Sequence, residues 1–385
     1  MKQLVLTIKK EWRIILRIKD MLNLSFKAYK NKKNKVLHNK IDIAGCRWNH
    51  IIALQRRYYA LYGSYISLYR MQKHIAKVRR RTEFWQLVNS QAVQEICERV
   101  DTAYKRFFKK IAKRPPKFKK VEFFNSFTLK QSGWTLNGNV LTIQKKRYKF
   151  SNSREIEQIK RVTIKRDTLG DIYFIFTCDI KPKKYKRVGS STIGMDFGLT
   201  TFLTCSNGDE IKSPEFLKKD IKNIKRLSRA LSKKQKGSNN RKRARIKLSR
   251  EHIKVANRRN DFQWKLAHKL CRENILISIE DLNMKAMQRL WGRKISDLAF
   301  SDFVLRLKEV ALKYGTEIVE IDRYYPSSKL CGCGFKNDEL QLKDRAWLCP
   351  SCGKVNNRDL RASINILGEG IRLYRTKSKT TLVAS

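Results

Sequence analysis

Three carboxylates and four thiols carry the chemistry that this sequence could perform. Asp196 lies in Ile193-Gly-Met-Asp-Phe-Gly198, Glu280 ends the apolar run Ile275-Leu-Ile-Ser-Ile-Glu280, and Asp359 sits in Asn357-Arg-Asp-Leu360. A carboxylate within or at the end of a strand is costly unless a charge neutralises it. Three of them are what a pair of divalent ions needs to hold and cut a phosphodiester, one ion at the attacking water and one at the leaving oxygen. Asp196 is the natural bridging ligand, because a central strand is a rigid platform, and Gly194 and Gly198 would let backbone and substrate approach closely. Each acid also has a plainer role open to it. Asp196 could start an Asx-turn, although its place inside a strand pattern argues against that. Asp281 could replace Glu280 as ligand or cap a helix after Asp281-Leu-Asn283, and Asp359 could be only an N-cap.

The thiols are Cys331, Cys333, Cys349 and Cys352. Cys349-Pro-Ser-Cys352 has the spacing of a zinc knuckle, and the upstream pair Cys331-Gly-Cys333 completes a four-thiolate set, one residue short of the usual C-x-x-C. Such a set leaves no open coordination position, so the zinc would be structural. Lys329, Lys336 and Lys343 nearby are solvated lysines or contacts to DNA. The remaining cysteines, Cys46, Cys97, Cys178, Cys205 and Cys271, sit in apolar surroundings and read as small buried residues of a reducing cytoplasm.

Of 385 residues, 87 are Lys or Arg and 34 are Asp or Glu, a formal charge of +53. That excess calls for a polyanionic partner, and nucleic acid is the one that phosphate neutralisation favours. A ribosomal-type protein or a lysine-rich compositional bias are the plainer explanations. Hydrophobic residues at 41% suffice for folded cores, and the length fits two or three domains. No apolar run approaches the ~20 residues of a membrane span, and the apolar stretch in Met1–Lys10 is too short for a signal peptide. The expected location is cytoplasmic, on the nucleoid when bound to DNA, with no membrane partner.

The elements that must position these residues follow from periodicity. The basic stretch to about Lys40 contains a strand pattern at Leu4–Ile8. Helical spacing dominates from Cys46 to about Val78, with Trp48, Tyr58, Tyr59, Tyr62, Tyr65 and Tyr69; these rings either pack helices or, with Arg56, Arg57, Arg70 and Lys73 between them, face a nucleic-acid backbone. Val88, Ala92, Ile96, Val100, Ala103, Phe107 and Ile111 give one apolar stripe of a second helix, which Pro115-Pro116 stops. Strands follow from Phe118 to Ile180, including a hairpin at Asn137-Gly138. A strand with Asp196, a hairpin, two basic helices split near Ser238, a strand ending at Glu280, a helix at Asp302–Tyr314, a strand at Glu317–Ile321 and a last helix opened by Asp359 then give the order of an RNase H-like α/β domain.

With these residues in place, the chain resembles the TnpB family, transposon-encoded RNA-guided nucleases related to type V CRISPR effectors. The resemblance rests on Ile193–Gly198, on the basic stretch ending in Ala256-Asn-Arg-Arg-Asn-Asp-Phe262, on Ile279-Glu-Asp-Leu-Asn283, on Asp322-Arg-Tyr-Tyr-Pro-Ser-Ser-Lys329, and on Cys349-Pro-Ser-Cys-Gly353 leading to Asn357–Leu360 and Ile364-Asn365. Asn89-Ser-Gln91 and Phe127-Thr-Leu129 are similar to the family's first half. The resemblance implies an α/β multidomain chain: a RuvC nuclease domain with an inserted zinc ribbon, preceded by a β-barrel wedge domain and a helical recognition lobe. The expected borders are a basic segment with the first wedge strand at 1–40, the lobe at 41–114, the wedge at 115–187, the RuvC core at 188–324, the ribbon at 325–357, the last RuvC helix at 358–370 and a disordered tail at 371–385.

It also implies that Asp196, Glu280 and Asp359 bind two Mg²⁺ ions and cut double-stranded DNA, chosen by a guide RNA beside a short motif, with no protein partner required. One structural Zn²⁺ would occupy the four cysteines. An A-form duplex is held by shape and backbone, and Arg241, Lys242, Arg243, Arg245, Lys247, Arg258 and Arg259 are the candidate contacts. Residues 10–40 and the shortened Cys331–Cys333 pair depart from the family pattern. A miniature type V effector with a repeat-derived guide, a guided DNA-binding protein with little cleavage and a guide-independent junction resolvase are the competing readings.

Overall fold

The computed structural model describes residues 21–180, 183–282, 289, 292, 297–341 and 343–383, with side chains described up to residue 376. The strand expected at Leu4–Ile8 and the position of Asn283 lie outside these residues. The chain divides into two compact units, residues 1–182 and 183–385.

In the first unit, β1 (Leu22–Lys27) leads into α1 (Asn34–Tyr62), α2 (Leu68–Arg81), the single turn α3 (Glu83–Gln86) and α4 (Ser90–Phe108). Strands β2 (Ser126–Leu129), β3 (Trp134–Asn137), β4 (Val140–Ile143), β5 (Lys146–Lys149), β6 (Ile159–Arg166) and β7 (Ile172–Cys178) follow. They form a four-stranded antiparallel sheet, β1-β7-β6-β2, and a three-stranded meander, β3-β4-β5. A bridge between Ala28 and Phe150 joins the two sheets, and Phe26, Phe150, Phe174 and Phe176 pack their rings between them.

Helix α1 starts at Asn34, ahead of the border read at 41, and ends where Gly63 turns left-handed and its N–H reaches Tyr59 O. Val93, Ile96, Cys97 and Val100 form the buried stripe of α4, each large apolar side chain contributing about 1.5–3 kcal/mol. The helix ends at Phe108, and Lys110 takes a positive φ, so Ile111 lies outside the helix and exposed. Helix termination therefore precedes the prolines that the sequence pointed to.

The second unit is built on a five-stranded sheet of order β10-β9-β8-β11-β12. Strands β8 (Ser191–Asp196), β9 (Thr201–Cys205) and β10 (Glu210–Lys212) are antiparallel neighbours. Helices α5 (Phe216–Ser232) and α6 (Asn239–Glu273) precede β11 (Asn274–Glu280), and α7 (Phe300–Tyr314) precedes β12 (Glu317–Ile321). Both β11 and β12 run parallel to β8. Strand β11 is apolar nearly throughout, as a strand covered on both faces must be.

Alternation assigns its faces. Ile193, Met195, Ile277 and Ile279 join Leu266, Phe303 and Leu307 in the core under α6 and α7. Gly194 and Ser278 lie under the last helix, α8 (Arg358–Val383), reached through β13 (Ala346–Leu348) and β14 (Val355–Asn357). A Cβ on Gly194 would stand 2.2 Å from Ser363 O, and one on Gly370 would collide with Ser278. Gly194 thus admits the close backbone approach expected of it, from a helix, and that helix takes the room expected for substrate. A Cβ on Gly198 would stand 2.6 Å from Thr201 O in the β8–β9 turn, so that glycine serves the turn. The last helix continues to Val383, so the tail expected to be disordered from 371 is helical. No Gly or Pro after Gly370 interrupts it.

Candidate metal centres and cationic surfaces

Asp196 is the last residue of β8, and Ile279 pairs with Met195 across to β11. The parallel register therefore puts Glu280 beside Asp196 at the same sheet edge. Both stand two residues beyond a small residue of the α8 face, so both point to that face. Gly194, Ser278 and Gly370 let α8 close on it, and that brings Asp359 to the same place. Asp196 ends its strand rather than lying within it, which places its carboxylate at a cavity mouth. The helix is capped by Asn357, whose Oδ1 accepts from Leu360 N at 3.1 Å, so Asp359 is not spent as the cap.

The three carboxylates line one cavity of about 890 Å³, which Lys329, Lys343, Arg345 and Arg358 also line. Burial raises the Asp196 carboxyl to about 6, helped by the charge of Asp359 and opposed by Arg358. Burial, then Asp196, then Asp281 raise Glu280 to about 7. Asp281 turns instead to Arg323 in an ion pair, which favours Glu280 as the ligand of the two. Arg345 Nη1 lies 3.1 Å from Asp359 Oδ2. Glu210 also reaches the cavity, by the cross-strand row Asp196–Thr204–Glu210. The sequence gives no cue to Glu210, because its place depends on a two-strand register.

Desolvated carboxylates that repel one another fit a divalent cation, whose charge would relieve them. Their oxygens are nonetheless spaced more widely than the thiols. Among the described residues, the sole set of three or more potential ligand groups gathered within 4.8 Å is Cys331, Cys333, Cys349 and Cys352. Sγ atoms of Cys331 and Cys352, and of Cys333 and Cys349, are 3.6 Å apart. Tetrahedral zinc with bonds of ~2.3 Å sets sulfurs ~3.8 Å apart, so the cluster is compatible with zinc. The shortened pair succeeds because Cys331 N donates to Phe335 O and Gly334 takes φ 92°. The Cys333 backbone N–H, and more weakly the Asn356 amide, lower the Cys331 thiol below its usual range, as a thiolate ligand requires.

The basic hairpin α5–α6 is less uniform than its sequence. Arg241 Nη1 donates to Leu231 O and Lys234 O at 2.9 and 2.8 Å, closing the end of α5. Arg258 pairs with Asp220, and Arg259 reaches Asp297 O at 3.4 Å. These three arginines hold the fold. Lys242, Arg243, Arg245 and Lys247 are exposed. A second row, Lys222, Lys225, Arg226 and Arg229 on α5 with Lys233 just past its end, lines a groove of about 530 Å³. Its spacing of three and four residues was the available signal. Of the tyrosines on α1, α2 and the loop between them, Tyr58 and Tyr65 pack against the core, whereas Tyr59, Tyr62 and Tyr69 are exposed.

Residues 175–290 match the family described as "Probable transposase", OrfB_IS605, and residues 300–366 match the Cas12f1-like TNB domain. A Streptomyces pristinaespiralis protein provisionally named an RNA-guided DNA endonuclease is 34% identical over 351 residues, 85% of this chain and 86% of that one. The Escherichia coli K12 protein InsQ, named in the same way, is 26% identical over 84% of this chain and 86% of its own. The fold is similar to that of Cas12f1 solved with sgRNA and target DNA, at TM-score 0.55 and 13% identity, over 88% of this chain and 83% of that one. Among the described residues, no helix is long and apolar enough to cross a membrane.

Proposed function

The chain belongs to the TnpB family, and from that premise we propose that it is an RNA-guided DNA endonuclease that cuts double-stranded DNA with a RuvC-type site. One observation carries this: three acids from separate elements meet in a cavity that cations also line, in a chain of net charge +53. Asp196, Glu280 and Asp359 would hold two Mg²⁺ ions. Bound there, the ions supply a nucleophilic water and a counter-charge for the leaving oxygen.

The protein's own contribution is placement. Strands β8 and β11 fix two carboxylates in register, and α8 delivers the third against the small residues beneath it. Lys329, Lys343, Arg345 and Arg358 hold the phosphates of the strand to be cut. Arg345 pairs with Asp359 and would have to yield that carboxylate to a bound cation. The four thiols hold one structural zinc, and β14 runs directly into Asp359, so the ribbon sets the start of α8. Residues 183–324 and 358–383 are the RuvC core, 325–357 the ribbon, and the first unit the recognition lobe and wedge.

A guide RNA gives the sequence choice, lying in the cationic surfaces as an A-form duplex held by backbone. Purification from cells carrying the native locus, followed by sequencing of the co-purified RNA and a Mg²⁺-dependent cleavage assay on matching duplex, tests this. The expected result is one RNA with a fixed scaffold and a variable end that directs cutting. Random RNA fragments and guide-independent cutting would overturn the guided reading.

A further inference from the structure

Beside the acids, the segment after β12 carries two adjacent tyrosines with opposite fates. Tyr325 is half-buried and lines the cavity with Pro326 and Ser327. Tyr324 is 84% exposed, more than any other large hydrophobic side chain among the described residues. Its ring meets no other aromatic ring among those residues. A lone exposed tyrosine needs no explanation by itself; this one is held in place on a platform.

Tyr324 N donates to Asp322 Oδ1 at 2.7 Å, and Tyr325 N donates to Asp322 O at 3.1 Å, closing a turn. Ser327 N and Lys329 N donate to Tyr325 O and Pro326 O. Arg323 pairs with Asp281, the residue after Glu280, and Asp281 N donates to Ile321 O. The turn is therefore tied to the strand that carries a proposed metal ligand. Glu280 pairs with Ile321 at a strand spacing of ~4.8 Å, and Tyr324 lies three residues beyond Ile321, within about 11 Å of it by chain reach. Together that is about 16 Å, or about five stacked bases at a rise of ~3.4 Å.

We propose that Tyr324 is a stacking platform for one nucleobase of the single strand that enters the carboxylate cavity. The occupant follows from charge: the cavity wall beside the turn bears Lys329, Lys343, Arg345 and Arg358, which draw a phosphate chain and repel a second copy of this cationic protein. Cations that track the backbone and an aromatic face that takes a base are the two parts of a sequence-tolerant single-strand site. Tyr324 is thus a positioning residue: it fixes the strand so that a phosphodiester stays at the acids. The inference rests on the endonuclease reading of that cavity.

The test uses the guide-loaded complex and target DNA carrying 2-aminopurine at one position at a time around the cut. In the Asp196→Ala background, which prevents cutting, fluorescence is quenched at one position. The quench disappears with Tyr324→Ala and persists with Tyr324→Trp. In the otherwise intact enzyme, Tyr324→Ala slows single-turnover cleavage about 5- to 100-fold, the range that loss of one base–aromatic stack gives. Tyr324→Trp restores the rate, and thermal melting is unchanged because the ring is exposed. An unaltered quench pattern with cleavage within twofold of the parent overturns the proposal. Absence of Mg²⁺-dependent cutting by the parent overturns the endonuclease reading instead; loss of quenching with Tyr324→Ala in that same sample would still uphold the stacking site.

Discussion

The cysteine cluster and the carboxylate cavity lie in the same unit, with only β14 between Cys352 and Asp359, and both suit cations, yet they are assembled differently. The thiols converge within 4.8 Å through two tight knuckles, so their geometry is local and close to that of the zinc-bound set. The carboxylates come from two strand ends and a helix start. They are gathered by register and by small residues rather than by a loop, and they remain more widely spaced, two of them raised toward neutrality. A site meant to stay filled can be closed. One that must admit a substrate and exchange ions is left with unrelieved repulsion, which the fold tolerates because the sheet around it is well packed.

The largest expected effect breaks the second half of that comparison. Asp196→Ala should abolish Mg²⁺-dependent cleavage, by more than the ~100-fold that loss of an outer-shell partner costs, while guide and target binding persist in a gel-shift assay. Cleavage surviving within tenfold would remove Asp196 from the bridging role. The first half breaks with Cys349→Ser. Zinc content should fall below one ion per chain, residues 325–357 should become protease-sensitive, and cleavage should drop about 10- to 100-fold through the displaced start of α8. A variant with full zinc and full activity would make the cluster dispensable.

The difference also decides what could be read in the residues. Both centres were legible, for different reasons: the thiols by spacing, the acids by interrupting or ending apolar patterns. What the sequence concealed depends on contacts far along the chain. Gly194 reads as room for substrate until Ser363 and Leu367 of α8 occupy that room. Arg241, Arg258 and Arg259 look like phosphate ligands, but carbonyls at a helix end engage the first, Asp220 the second and the Asp297 carbonyl the third. Local composition shows where charge is dense, not which cations the fold has already used. Nothing in the stretch Asp322–Lys329 sets Tyr324 apart from Tyr325; exposure of the one beside its half-buried neighbour does.

The repulsion among the acids has a sign that pH can read. Unfolded, Asp196 and Glu280 titrate near ~3.9 and ~4.3; folded and metal-free, they titrate at about 6 and about 7. Between those limits the folded chain keeps protons that the unfolded chain has lost. Their contribution to stability is therefore full below about pH 4 and is lost as pH rises through 6 to 7. Asp196→Asn, unable to ionise, should make the metal-free protein more stable than the parent at pH 8 by about 1–3 kcal/mol, with no difference at pH 4. Mg²⁺ should raise the parent's melting temperature at pH 8 and leave the variant's nearly unchanged. A parent as stable as the variant across this range would mean that the acids are relaxed without metal.

The smallest effect separates the two kinds of cation on the α5–α6 hairpin. Lys222 and Arg229 face the open groove, so each change to Ala should weaken nucleic-acid binding equally across sequences and lower the slope of log affinity against log salt by about 1. Arg241→Ala should act through the fold, because the Leu231 and Lys234 carbonyls lose their donor, at a cost of about 1–3 kcal/mol. Its signature is a lower melting temperature with a nearly unchanged salt slope. If Arg241→Ala alters the slope and spares the melting temperature, it binds phosphate and the hairpin closes without it. If Lys222→Ala and Arg229→Ala leave the slope untouched, the groove on α5 faces solvent, and the exposed row from Lys242 to Lys247 is the surface that holds the backbone.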